Sequence, residues 1–222
     1  MPAFTLYGAP GSTNTDRVRL TLAEAGFTDY DLVVLSLNTG EQKSEEHMKR
    51  HPWGKVPAIT FENGFTLHES RAICQYLARK YSFPLLPADS DYEVAALFDQ
   101  ASSVEMHYFA EPAGRIGFEK FVKTFMGLPT DEAVVAASVK ALESFFDVVD
   151  GLLVERQWMA GDDFTLVDIY YVPLVRRLFA CGFQDLVFKR KNVAAWWERV
   201  VARPGIAKQL AEDEARAAAA RK

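Results

Sequence analysis

The pair Glu69-Ser70 closes the stretch "GKVPAITFENGFTLHES", residues 54–70, where strand-like alternation gives way to helical spacing. An acid and a hydroxyl at a helix start can do two things. They can cap the unpaired N–H groups of the first turn, or, with those N–H groups and the helix dipole, they can hold a charged ligand. Ser12, in "YGAPGSTN", occupies a similar place, after one apolar run and before a helical segment. Taken alone it reads as an N-cap, because "STNTD" is full of capping residues. Its hydroxyl has far too high a pKa to act as a base, but it can donate a hydrogen bond. Cys74 and Cys181 are the two cysteines, too few for a disulfide framework and without the spacing of a zinc site. Cys74, inside the apolar "RAICQYL", reads as inert packing.

These residues need elements to hold them. "AFTLYG" alternates like a strand, and "NTDRVRLTLAEAG" carries Val18, Leu22 and Ala25 at helical spacing before the stop signal Gly26. Arg17 and Arg19 on that helix read as structural partners. "YDLVVLSL" is a second strand, so strand–helix–strand predicts a right-handed crossover and a parallel pair. A polar stretch follows from Asn38 to Gly54, and then two short strands joined by Asn63-Gly64, a turn predicted to put both residues at positive φ. Pro57 stands at the entrance of the first of these strands. Since it cannot donate to a ladder, it belongs at an edge, a first residue or a bulge. "ESRAICQYLARKY" then sets Ile73, Tyr76, Leu77 and Lys80 on one helical face.

The pattern βαβ–ββα is complete by residue 81, and "SFPLLPADSD" (82–91) reads as a linker. Everything from 92 to 222 carries helical periodicity, with no internal repeat. "FTLVD" is a capping-box sequence, Thr165 to Asp168, with a scaffold role only. Glu105, Tyr108, Phe109, Pro112 and Ile116 recur at spacings of three and four; such a stripe is usually core. The tail "AEDEARAAAARK" reads as helical or frayed and carries no chemistry.

Composition excludes several classes. The 222 residues suffice for one large or two modest domains, and 49% apolar with 25% charged residues is globular. A net charge of −5 argues against nucleic-acid binding. "MPAFTLYGAP" shows no secretory signal, and "LVDIYYVPLVRRLFACGF" is interrupted by Asp168, Arg176 and Arg177, against a simple membrane span. A soluble protein of a reducing compartment, the cytoplasm, is the expectation.

The segments "LYGAPGSTNTDRV", "NTGEQKSEEHMKRHPWGKVPAI", "LHESRAICQYLARKY", "GLPTDEAVV", "AGDDFTLVDI" and "AAWWERVVARPG", in this order, resemble the cytosolic glutathione transferases over nearly the whole chain. Ser12, Lys43, Val56-Pro57 and Glu69-Ser70 together look like the phi class. The resemblance implies an α/β plus all-α fold. A thioredoxin-like glutathione-binding domain (1–81) is followed by a linker (82–91) and an all-helical domain (92–222) that contributes the hydrophobic substrate site.

It also implies residue roles. In thioredoxin-like folds the X-Pro bond before the third strand is cis, which turns Val56 outward to pair with an extended peptide, as in β-augmentation. Val56 would then hold the cysteinyl backbone of glutathione. Ser70 and the helix end would take the γ-glutamyl carboxylate, and Glu69 its ammonium. Gln42, Lys43 and Lys55 would take the glycyl carboxylate; many phi members have histidine at the place of Gln42, and a neutral amide donates without charge assistance. For Lys43 the competing reading is a solvated loop lysine. Ser12 would donate to the glutathione sulfur, favouring thiolate over thiol. Tyr108, Phe109 and Ile116 would line the electrophile site, with Thr13 closing its near side.

The activity so implied is conjugation of glutathione, the co-substrate, to a hydrophobic electrophile, and reduction of organic hydroperoxides is compatible with the same residues. No metal or bound cofactor is implied. Trp53, in "KRHPWGKVP", would be an aromatic key in a homodimer. Two other classes remain open. A glutaredoxin-type exchanger needs a cysteine where Ser12 stands, whereas a non-catalytic glutathione- or ligand-binding or regulatory protein could use the same scaffold.

Overall fold

A computed structural model describes residues 1–88 and 90–219. Residue 89, inside the predicted linker, and residues 220–222, at the end of the predicted helical domain, lie outside the described residues. The chain divides into two units, one of Met1–Leu85 with the segment from Ala202, and one of Leu86–Val201.

The first unit is thioredoxin-like. Strands β1 (Thr5–Gly8), β2 (Asp31–Val34), β3 (Ala58–Thr60) and β4 (Thr66–His68) form one sheet in the order β2-β1-β3-β4. Helix α1 (Thr13–Glu24) makes the crossover between the parallel β1 and β2, with Leu6 opposite Leu32. β3 lies antiparallel to both β1 and β4, with Ile59 between Leu6 and Leu67. α3 (Ser70–Lys80) packs on α1, where the Thr21 hydroxyl donates to the Cys74 sulfur at 3.2 Å. Phe4, Leu6, Val18, Leu22, Ile59, Ile73 and Leu77 fill the core. Of the predicted face of α3, Ile73 and Leu77 are buried. Tyr76 packs against Phe61 and Phe65, and Lys80 lies over the Phe61 ring.

Three features depart from the sequence expectations. The β3–β4 turn has positive φ only at Gly64; Asn63 instead accepts the Phe65 N–H through its side chain, so the loop spans Phe61 to Phe65 and is longer than a two-residue turn. The polar stretch holds a short 3-10 turn (Glu41–Lys43) and a helix, α2 (Glu45–Arg50), capped by Ser44. The tail is a helix, α11 (Pro204–Ala219), that belongs to the first unit rather than to the helical one. Arg19 pairs with Asp213 at 2.8 Å and Arg203 with Glu24 at 2.5 Å. At Gly205 the backbones approach so closely that a Cβ would stand 2.4 Å from the Ala23 carbonyl oxygen. The break falls after Leu85, inside the predicted 82–91 linker, and the chain from Ala202 returns to α1.

The second unit is all helical: α4 (Tyr92–Val104), α5 (Glu111–Gly117), α6 (Lys123–Met126), α7 (Glu132–Leu152), α8 (Leu166–Ala180), α9 (Asp185–Phe188) and α10 (Lys191–Val201). α8 is the buried centre, opened by the Thr165–Asp168 capping box. Asp168, fully buried, accepts from the Met159 and Thr165 N–H groups and from the Trp196 indole. Wide π-type turns at Glu105–Ala110 and Phe118–Val122 separate α4, α5 and α6. The buried face runs through Glu105, Phe109, Ala113 and Ile116, at ordinary helical spacings of four, four and three, while Tyr108 and Pro112 line a groove on another side. Among the described residues no helix is long and apolar enough to cross a membrane.

Candidate active site

A cavity of about 420 Å³ opens in the thioredoxin-like unit, lined by Ser12, Asn14, Leu37, Gln42, Lys43, His51, Gly54, Lys55, Val56, Pro57, Glu69 and Ser70. Four stretches far apart in the chain build it: the β1–α1 turn, the 3-10 turn, the loop entering β3 and the start of α3. The fold thereby brings Ser12 together with Gln42, Lys43, Lys55, Val56, Pro57, Glu69 and Ser70. The volume suits a small ligand such as a short peptide.

Ser12 is the N-cap of α1, yet its side chain makes no capping hydrogen bond. Asp16, in the first turn, accepts the Gly11 N–H at 3.0 Å and ties down the loop just before Ser12. The hydroxyl is left on the cavity wall beside the positive end of a 12-residue helix. The simple capping explanation for Ser12 is therefore not realised.

The same holds at the other helix start. Glu69 precedes α3 without a side-chain capping bond, at φ 71° and ψ 108°, a conformation that costs a non-glycine residue on the order of 1–3 kcal/mol. Strain of that kind collects where a backbone is held for binding. Ser70, the first residue of α3, is buried, and its oxygen accepts from the Arg17 guanidinium at 2.7 Å. The Val56-Pro57 bond is cis. Val56 lies outside the β1–β3 ladder, whose register ends with Ala58 opposite Tyr7.

Lys43 is tied down rather than waving in solvent. Its ammonium donates to the Trp53 carbonyl at 2.8 Å, and its stem lies over Gly54. A Cβ at Gly54 would come within 2.6 Å of that stem and 2.9 Å of the Gln42 carbonyl, and φ is +57°, so only glycine fits. Lys55 is exposed at the rim, its carbonyl receiving the His47 ring N–H at 2.7 Å. His51 is buried with its ring 4.7 Å from that of His68. Burial and the neighbouring His68 hold the His51 imidazole below its ordinary range, opposed by Glu69.

Other predicted site residues lie elsewhere. Thr13 is half-buried and does not line this cavity. Phe109 and Ile116 have no accessible surface. Phe109 packs on Phe145, Phe146 and Tyr171, so both residues belong to the core of the helical unit and are not a ligand surface. Tyr108 is 66% exposed on a separate apolar groove of about 620 Å³ between the α4–α5 region and α7. Asn14, Leu37, His51 and Gly54 went unnoticed in the sequence. Asn14 was hidden in a run of capping residues, Leu37 at the end of the predicted second strand, and His51 and Gly54 in the polar stretch that follows it. Cys74 is fully buried and its thiol is pushed up to about 11, which leaves it no role as an exchanging thiolate. Among the described residues no group of three or more His, Cys, Asp or Glu side chains could hold a metal ion.

Comparison with known proteins agrees with this geometry. Residues 2–79 match the glutathione S-transferase N-terminal domain and residues 104–204 the C-terminal domain of the same family. Glutathione S-transferase hmp2 of Hypomyces subiculosus is 36% identical, over 93% of this chain and 97% of its own length. Glutathione S-transferase 1 of Zea mays is 35% identical, over 95% and 97%. The solved structure of glutathione S-transferase I from maize in complex with an atrazine glutathione conjugate superposes with a TM-score of 0.87 at 34% identity, covering 96% of this chain and 98% of that one. A thioredoxin-like unit with a cis-proline cavity, a helical unit and matches in both halves have one explanation: this chain belongs to the glutathione S-transferases, in the phi-like class of that family.

Proposed function

We propose that the chain binds glutathione in the Ser12 cavity and activates it there as a thiolate for attack on hydrophobic electrophiles. The observation that carries this is the Ser12 hydroxyl, without a capping bond, on the wall of a cavity that also holds Val56, Glu69 and Ser70. Val56 pairs with the cysteinyl backbone, Ser70 and the start of α3 take the γ-glutamyl carboxylate, and Glu69 takes the ammonium. Gln42, Lys43 and Lys55 face the glycyl carboxylate. Ser12 donates to the sulfur, lowering a thiol pKa that starts at roughly 8.5, and the α1 N-terminus acts in the same direction. The thiol proton leaves to solvent, sulfur bonds to the electrophilic carbon, and the leaving group departs with its electron pair. The maize enzyme solved with an atrazine glutathione conjugate supports this class of product.

The acceptor is hydrophobic. Phe109 and Ile116 are buried and form no part of its binding surface. The apolar groove at Tyr108 takes a different occupant, the Trp53 of a second copy in a homodimer. Free Cys74 and Cys181 fit a reducing compartment, and we assign the protein to the cytoplasm. A turnover assay with glutathione and an aryl halide tests the enzyme reading. Binding of glutathione without any conjugation or hydroperoxide reduction would favour the non-catalytic alternative.

A further inference from the structure

Arg17 lines no part of the cavity, yet its guanidinium reaches two side chains that do. It is 1% exposed, donating to Ser70 Oγ at 2.7 Å and to Asn14 Oδ1 at 2.6 Å. A buried guanidinium stays charged, so both bonds are charge-assisted. The consequence falls on Ser70. A hydroxyl has one proton to give and two lone pairs to receive with. With Arg17 donating to its oxygen, Ser70 must send its own proton elsewhere. Among the described residues its side-chain acceptor is Asn14 Oδ1 at 3.5 Å, the far limit of a hydrogen bond, and Arg17 already donates to that oxygen. The Ser70 O–H is thus aimed and polarised for a stronger acceptor on the cavity side, and a positive charge stands directly behind it.

We infer that Arg17 is a positioning residue for the glutathione carboxylate at the α3 end, acting through Ser70 and setting the preference for a ligand anionic there. This rests on the glutathione reading given above. It assigns to Arg17 a part in ligand choice that its buried place on α1 does not suggest, and no part in sulfur chemistry.

The test is a cycle between protein and ligand. Glutathione and its decarboxylated analogue, 4-aminobutyryl-cysteinyl-glycine, are titrated calorimetrically into wild type, Arg17→Gln and Arg17→Lys. Wild type should favour glutathione by roughly tenfold to hundredfold, the worth of a hydrogen bond to a charged group. Arg17→Gln should remove most of that preference while binding the analogue as wild type does. Arg17→Lys, which keeps the charge, should retain part of it. In turnover, Arg17→Gln should raise KM for glutathione and leave kcat at saturation and the pH profile of thiol ionisation where they were. Equal weakening of both ligands, or a change in neither, overturns the inference while leaving the site reading intact. Absence of any glutathione binding by wild type overturns both. If Arg17→Gln does not fold, the guanidinium NMR signals of Arg17 in wild type decide. They should shift with glutathione and not with the analogue, and equal shifts with the two ligands overturn the inference.

Discussion

The Trp196 indole donates to Asp168 Oδ1 at 2.9 Å, joining α10 to the first turn of α8 in the fully buried centre of the helical unit. Met159 N–H meets the same oxygen and Thr165 N–H the other, so a single carboxylate serves donors from three segments. Burial pushes the carboxyl up while these donors oppose it. Asp168→Ala leaves them without an acceptor, at about 1–3 kcal/mol for each stranded group, so a total loss of roughly 3–5 kcal/mol is expected. Trp196→Phe strands none and should cost less. Urea unfolding checks both, and an Asp168→Ala midpoint near that of wild type would refute the account.

Ser12→Ala should separate chemistry from stability. Since Ser12 makes no capping bond, unfolding should change by less than about 0.5 kcal/mol. Conjugation at neutral pH should fall about tenfold to hundredfold, because a hydrogen bond to a charged sulfur is lost. The apparent pKa of the bound thiol should move up toward the free value, so the deficit shrinks as pH rises. Rate profiles that run parallel across pH, with no displacement between wild type and variant, would remove Ser12 from thiol activation.

Trp53 is 65% exposed, its ring held against His68 at 5.4 Å. As the anchor of a dimer seated in the partner's groove at Tyr108, it should behave as a hot spot worth about 2 kcal/mol or more, a roughly thirtyfold rise in the dissociation constant for Trp53→Ala. Filling the groove with Ala141→Trp should have the same effect. Sedimentation equilibrium reads both, and dimers of unaltered strength in the two variants would defeat the proposal.

His51 predicts an acid limb. Its imidazole lies below its ordinary value of 6.5, from burial first and then from His68 and His47, with Glu69 opposing. A depressed imidazole favours the folded state while neutral. Its contribution is therefore complete above pH 6.5 and is lost as pH falls through the folded value. The thermal midpoint of wild type should decline on that acid side, and His51→Gln should flatten the decline. An identical slope in the variant would show that His51 is not its source.

Local order was written in the chain. Alternation in "AFTLYG", the helical spacing of Val18 and Leu22 and the stop at Gly26 determine a strand–helix–strand unit, because each depends on neighbours within one turn or one pleat. The capping box at Thr165 and Asp168 is equally local and forms as its spacing requires. Pro57 and Glu69-Ser70 could be singled out as candidates because residue types at element ends have few uses.

What only the tertiary structure decided depends on residues distant in sequence. Asp213 joins Arg19 across 194 positions, which carried the last helix back to α1 and moved the unit boundary. Ser70 meets Arg17 across 53, turning an expected structural arginine into a neighbour of the site. Phe109 and Ile116 turned out to be core because Phe145, Phe146 and Tyr171, far along the chain, close over Phe109, which no local spacing foretells. Ser12 holds the N-cap position without making the capping bond its residue type allows, and its hydroxyl stands on the wall of a cavity built from distant segments. A sequence shows which partners a side chain could take. Packing decides which one it takes, because a buried donor or acceptor left unpaired costs more than any local preference supplies.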